Sequence, residues 1–155
     1  MPTKNHSCVI GCATLSWPSV LHIPSRRFRL FVAADAIGVT TDAISEFVHE
    51  ALKRGMVYFC AWGPDCSRFH DIVNEIVVED DLGERQFVGP NPHDQIMTTW
   101  HENDTLEEGV DFFFNFAFPA DGFEADSDSW IALCINNSEW AVSIRRKLGA
   151  GESQE

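Results

Sequence analysis

The sequence predicts an α/β protein: a single doubly wound, mainly parallel sheet of about five strands with helices on both faces. Three observations carry that expectation. From Arg29 onward, apolar runs with few charges alternate with segments of helical spacing, the pattern of parallel strands buried on both sides. Glycine, proline and polar clusters mark each change of period. The 155 residues, 45% of them hydrophobic, suffice for one sizeable core but argue against two.

Residues 1–25 carry three prolines and no amphipathic period. They read as an arm that carries a short strand around Cys8–Leu15. The domain proper is expected over 26–148, with a polar tail over 149–155. Leu30–Ala34 is the first strand, Asp35–Thr41 its loop, and Asp42–Lys53 a helix. Ala43, Phe47, Val48 and Leu52 form the apolar stripe of that helix, and Gly55 follows a basic last turn as a stop signal. Met56–Ala61 is the second strand, and Pro64 precedes a short helix over Cys66–Val73. The β-branched run Ile76–Val78 predicts a third strand. Asp80–Pro92 reads as a loop, with a small strand at Gln86–Val88 as the alternative for its middle. Gln95–Thr99 predicts a fourth strand, Thr105–Phe116 a helix, Trp130–Ile135 a fifth strand and Ser138–Leu148 the last helix. Right-handed crossovers then favour the order 3-2-1-4-5, half of a Rossmann-like topology with its switch point between the first and fourth strands.

Composition excludes more functions than it names. Eleven Lys and Arg against 24 Asp and Glu give a formal net charge of −13. Such a surface repels phosphate backbones, so neither nucleic acid nor an anionic membrane is an expected partner. No apolar run reaches the ~18 residues of a membrane span, and the N-terminal residues make a poor signal peptide. Five cysteines cannot all pair, and the sparse odd set fits a reducing cytoplasm. No GxGxxG, GxxxxGK[ST] or GxSxG motif occurs, so the dinucleotide, P-loop and serine-hydrolase signatures are missing.

Ligands of open parallel sheets bind beyond the carboxyl ends of the strands. The expected strand-end residues are Asp35, Trp62, Asp65, Cys66, Trp100, His101, Glu102, Asp104, Asn136 and Asn137. Asp104, Asn137 and Thr41 (or Thr40 in its place) are also suited to helix capping, which every βα loop requires. Capping does not explain Trp62 or His101. As a ligand site, Asp35, Trp62, Asp65, Trp100 and His101 are the binding candidates; Asp35, Cys66 and His101 are the catalytic ones. Cys66 and His70 stand at i and i+4, so they share a helix face. With His101 or Asp35 they could complete an open zinc site, or the thiol could serve as a nucleophile. A core cysteine beside a histidine paired to Asp71 or Glu75 accounts for the same letters, and no cofactor is expected.

Charge distribution supplies the other candidate. Between Arg85 and Arg145 there is no Lys or Arg, while Asp and Glu occur eleven times, from Asp94 to Glu139. A solvated acidic face is one reading; a docking surface for a basic protein is the other. For docking, the contact residues are Glu107, Glu108, Asp111, Glu124, Asp126 and Asp128, within segment 94–128. The same stretch holds Phe112, Phe113, Phe114, Phe116 and Phe118. One helix face cannot bury them all, because consecutive residues are about 100° apart. Cover by Trp17, Leu21 and Ile23 of the arm is the expected solution; an aromatic patch edged by carboxylates is the alternative.

Two strand-end segments carry a resemblance. Cys60-Ala61-Trp62-Gly63-Pro64-Asp65-Cys66 through His70-Asp71, and Met97-Thr98-Thr99-Trp100-His101, resemble a family of small bacterial hypothetical proteins with a Rossmann-like domain of unknown function. The resemblance covers 28–147. It implies a bacterial cytoplasmic origin and transfers no activity. The function expected is therefore a protein-binding module, such as an inhibitor, immunity protein or accessory subunit. The alternative is a small-ligand or metal-dependent enzyme at the strand ends.

Overall fold

The structure is a computed structural model that describes residues 7–19, 21–82 and 95–152. Its elements run β1 (Ser7–Cys12), β2 (Phe28–Ala33), α1 (Thr41–Lys53), β3 (Met56–Trp62), α2 (Cys66–Leu82), β4 (Met97–Trp100), α3 (Leu106–Phe116), a 3-10 helix (Asp121–Asp126), β5 (Trp130–Ile135) and α4 (Ser138–Glu152). Among the described residues all strand pairings are parallel, in one sheet of order β1-β5-β2-β3-β4. The α/β class and the count of five strands agree with the sequence. The order does not.

The difference has one source. Ile76–Val78 is no strand but the continuation of α2, which runs to Leu82 rather than stopping at Val73. Cys66, Phe69 and Val73 are buried in the core, and Ile72, Ile76 and Val77 pack against it. Helical spacing toward a core thus outweighs the strand propensity of three β-branched residues. The fifth place in the sheet goes to β1, paired with β5 from Ser7↔Trp130 to Cys12↔Ile135. The switch point consequently lies between β2 and β5. The strand considered at Gln86–Val88, and Asp94, lie outside the described residues. At the other end, α4 continues beyond Leu148 to Glu152.

Side-chain alternation along the strands feeds two cores. Leu30, Val32, Phe59, Ala61, Ile131 and Leu133 face α1 and α2. Phe31, Ala33, Tyr58, Cys60, Ala132 and Cys134 face α3 and α4. The helix starts follow from capping: Thr40 Oγ1 accepts the Ala43 N–H, and Thr105 with Glu108 forms a reciprocal capping box on α3. Asn137 Oδ1 accepts the N–H groups of Glu139 and Trp140 at the start of α4. Neither Asp104 nor Thr41 serves as a cap. Gly109 allows α3 to lie close to the sheet, since a Cβ there would sit 3.3 Å from Trp62 and 3.4 Å from Phe31.

The arm covers the face opposite to the one expected. Trp17 packs on Phe28 and Phe47, and Leu21 and Ile23 join the same α1/α2 core. The phenylalanines of α3 therefore receive no cover from it. Phe113 and Phe114 are buried, whereas Phe116 is 61% and Phe118 59% exposed.

Candidate functional site

Because every strand is parallel, the loops after β1, β2, β3, β4 and β5 open at one edge of the sheet. The strand order reverses between β2 and β5, and the chain ends leaving those two strands diverge there. A cleft of about 550 Å³ lies at this point. Thr14 and Leu15 after β1, Asp35 and Val39 after β2, and Asn136 and Trp140 after β5 line it. Asp35 Oδ1 accepts the Ile37 N–H at 3.0 Å, which tightens the turn that presents the carboxylate. Asn136 has φ +55°, and its N–H donates to Cys12 O at 2.6 Å. That bond ties the end of β5 to the end of β1. Trp140 stands edge-on to Trp62 with ring centroids 5.2 Å apart.

Of the five binding candidates, Asp35 alone lines this cleft. Trp62 supports it from behind: its ring meets Trp140, and its Nε1–H donates to Asp104 O at 2.9 Å. Asp65, with φ +62°, pairs with Arg68 at 3.1 Å. Arg68 also donates to the carbonyls of Ala36 and Val39 and so braces the loop behind Asp35. His101 is two strands away from Asp35, a separation of roughly 10 Å or more at ordinary strand spacing. Its ring is held at both nitrogens, by Thr99 Oγ1 at 3.1 Å and Asp104 Oδ2 at 2.9 Å, and rests on Phe112. The structure therefore separates Asp35 and His101, which sequence reasoning had joined in one pocket.

Cys66 and His70 are likewise occupied. His70 hydrogen-bonds Asp71 Oδ1 at 3.1 Å and Thr98 Oγ1 at 3.0 Å, with Trp100 against its ring. Burial pushes the Cys66 thiol up; N–H groups of His101, Cys66 and Gly63 pull it back, and Glu102 raises it further. A nucleophilic thiol needs the opposite shift. Among the described residues, no three His, Cys, Asp or Glu side chains gather into a metal site. Thr14 and Trp140, which sequence reasoning missed, belong to the cleft because of the β1–β5 pairing, which no local signal announced.

The acidic candidates divide into two groups. Asp126 bonds Arg27 at 2.6 Å, and Glu124 and Asp128 act electrostatically on the buried Arg29. Arg29 donates to Ser127 O at 3.2 Å and Ala117 O at 2.8 Å and lies 4.2 Å over Trp130. These three carboxylates thus serve a clamp that fixes the Ala117–Ser129 segment under the amino ends of the strands. Glu107, Glu108 and Asp111 lie instead on the outward side of α3. Glu108 also closes the capping box, and Asp111 meets Lys147 at 2.9 Å. Along the i, i+4 row of the helix, Glu108 leads to Phe112 and then Phe116, whose rings are 6.2 Å apart.

No helix among the described residues is long and apolar enough to cross a membrane. No curated protein and no solved structure matches the chain. A family model does, over residues 14–150, which takes in all of α3 and every lining residue of the strand-end cleft but Ala13. The chain thus belongs to the family described as a domain of unknown function, DUF7684.

Proposed function

We propose that this chain is an acidic cytoplasmic protein-binding module that docks a basic partner through the outer side of α3 and the Phe116–Phe118 tip. The observation that carries the reading is the exposure of those two rings, 61% and 59%, in a protein that buries nine-tenths or more of Phe28, Phe31, Phe47, Phe59, Phe69, Phe113, Phe114 and Phe123. Exposed aromatic side chains beside charged ones have the composition of a contact surface, with an apolar anchor and a polar rim. The charge states the partner's sign. Residues 95–144 contain no Lys or Arg and ten Asp or Glu, so the field around the anchor attracts a cationic surface. The same field repels a second copy of this chain. All five cysteines are free thiols, which fits a reducing compartment.

The test begins with affinity capture on the tagged protein, identification of the captured protein and its purification. Its affinity is then measured by calorimetry at low and high salt. The expected partner is basic, its affinity falls with salt, and Phe116→Ser weakens it by more than tenfold, as loss of an aromatic anchor does. Glu107→Gln with Glu108→Gln weakens it further, while the amide oxygen left by the second substitution, on a side chain of equal length, still accepts the Thr105 N–H and keeps the capping box. A partner whose binding ignores both Phe116→Ser and salt would overturn the proposal, as would capture of none.

A further inference from the structure

We infer that the cleft between β2 and β5 is a binding site for a small uncharged ligand that presents vicinal hydroxyls and an apolar ring face. Four features of the cleft support this, none of them used in the docking proposal. Its place is the one where the sheet's loops diverge, and its volume of about 550 Å³ suits a molecule of nucleoside or sugar size. Its polar groups are only partly committed. Asp35 uses Oδ1 for the Ile37 N–H and Asn137 uses Oδ1 for the α4 cap, which leaves one carboxylate oxygen and one amide NH₂ for a ligand.

The third feature is Asn136. Its φ of +55° lies in the left-handed region that glycine adopts freely and that asparagine accepts more readily than most other residues, so the turn itself would tolerate glycine. A side chain there sets an amide among the groups that line the cleft. The fourth is the charge of the lining. Asp35 contributes a carboxylate, and among the described residues no Lys or Arg joins it. The start of α1 is already capped by Thr40 and that of α4 by Asn137. A phosphate would find a negative charge and no cation among these lining residues. Hydroxyl protons would find the carboxylate, hydroxyl oxygens the amides, and an apolar ring face the indole of Trp140.

Nucleosides and free sugars share this chemistry, and the experiment separates them. The full chain is titrated by NMR with adenosine, guanosine, ribose, glucose and adenosine monophosphate. Saturable binding by a nucleoside or a sugar, with shifts confined to the loops after β1, β2 and β5, is the expected result; the ligand that saturates names the source. The nucleotide is expected to bind at least tenfold more weakly than its nucleoside. Asp35→Asn, which keeps the turn, and Asn136→Gly both reduce affinity by at least tenfold. Asn136→Gly does so without lowering the melting temperature, which separates lost recognition from lost folding. Absence of saturable binding by all five, equal or tighter binding of the nucleotide, or an Asn136→Gly variant that binds as the parent does would overturn the inference. Phe116→Ser leaves this binding unchanged, so failure here is distinct from failure of the docking surface.

Discussion

Replacing Arg29 by Met tests whether the clamp under the sheet holds the Phe118 tip in place. Arg29 is 6% exposed and its side chain bonds the carbonyls of Ser127 and Ala117. Methionine fills much of the aliphatic space but gives neither carbonyl a donor. Each orphaned buried acceptor costs about 1–3 kcal/mol. The guanidinium over Trp130 adds about 1 kcal/mol or more. The expected loss is therefore roughly 3–7 kcal/mol, or on the order of 10 °C in Tm for a chain this long. Urea denaturation followed by tryptophan fluorescence measures it. Arg29→Lys restores the charge and at most part of the bonding, so its loss falls between. The exposed Arg54–Glu50 pair is the contrast: Arg54→Ala is expected to change stability by less than about 1 kcal/mol. An Arg29→Met variant with an unchanged urea midpoint would refute the clamp.

Alkaline pH tests the buried acids. Burial pushes Cys60 and Cys134 from 9.0 to about 12 and Tyr58 from 10.0 to about 12. Their folded-state values lie above the unfolded ones, so the stability they contribute is full below pH 9 and declines as pH rises toward 12; urea midpoints across that range should fall steadily. Gly63→Ala is expected to cost more than about 2 kcal/mol, because φ is +116° and a Cβ would overlap the Ala34 carbonyl. Gly149→Ala, helical and facing open space, should be neutral or stabilise by up to about 1 kcal/mol. Paired thermal melts compare the two. Trp62→Phe removes the donor to Asp104 O and should lower stability by about 1–2 kcal/mol, read from the same melts.

The parts of the fold legible in the sequence are those where local pattern and tertiary role coincide. Met56–Ala61 is continuously apolar because β3 is buried on both faces, and Thr105 followed by Glu108 signals the start of α3. Ile76–Val78 misled because its letters favour a strand while their spacing from Phe69 and Val73 favours a helix on the α1/α2 core. Ser7–Cys12 was faint because an edge strand beside β5 needs only partial burial, and none of its six residues is fully buried. With Ile76–Val78 read as the strand outside β3, β4 is expected beside β2, in the place that β5 holds, and the switch point falls between the wrong pair. That is why Asp35 was found but was grouped with His101 instead of Asn136 and Thr14. The five phenylalanines were legible as a surplus; which face the arm covers depends on Trp17 meeting Phe28 and Phe47, a contact with no sequence periodicity.

The pairing of β1 with β5 also dictates when the cleft can come into being. Ser7–Cys12 precedes its sheet neighbour, Trp130–Ile135, by more than a hundred residues, so closing that loop is entropically among the costliest steps of folding. The β2–β3 pairing, by contrast, spans fewer than thirty residues. A folding chain can therefore hold a native β2–β3 nucleus while the cleft lining from Thr14 and Leu15 is still missing. Ligand capture would then report completion of the sheet's last seam rather than its collapse.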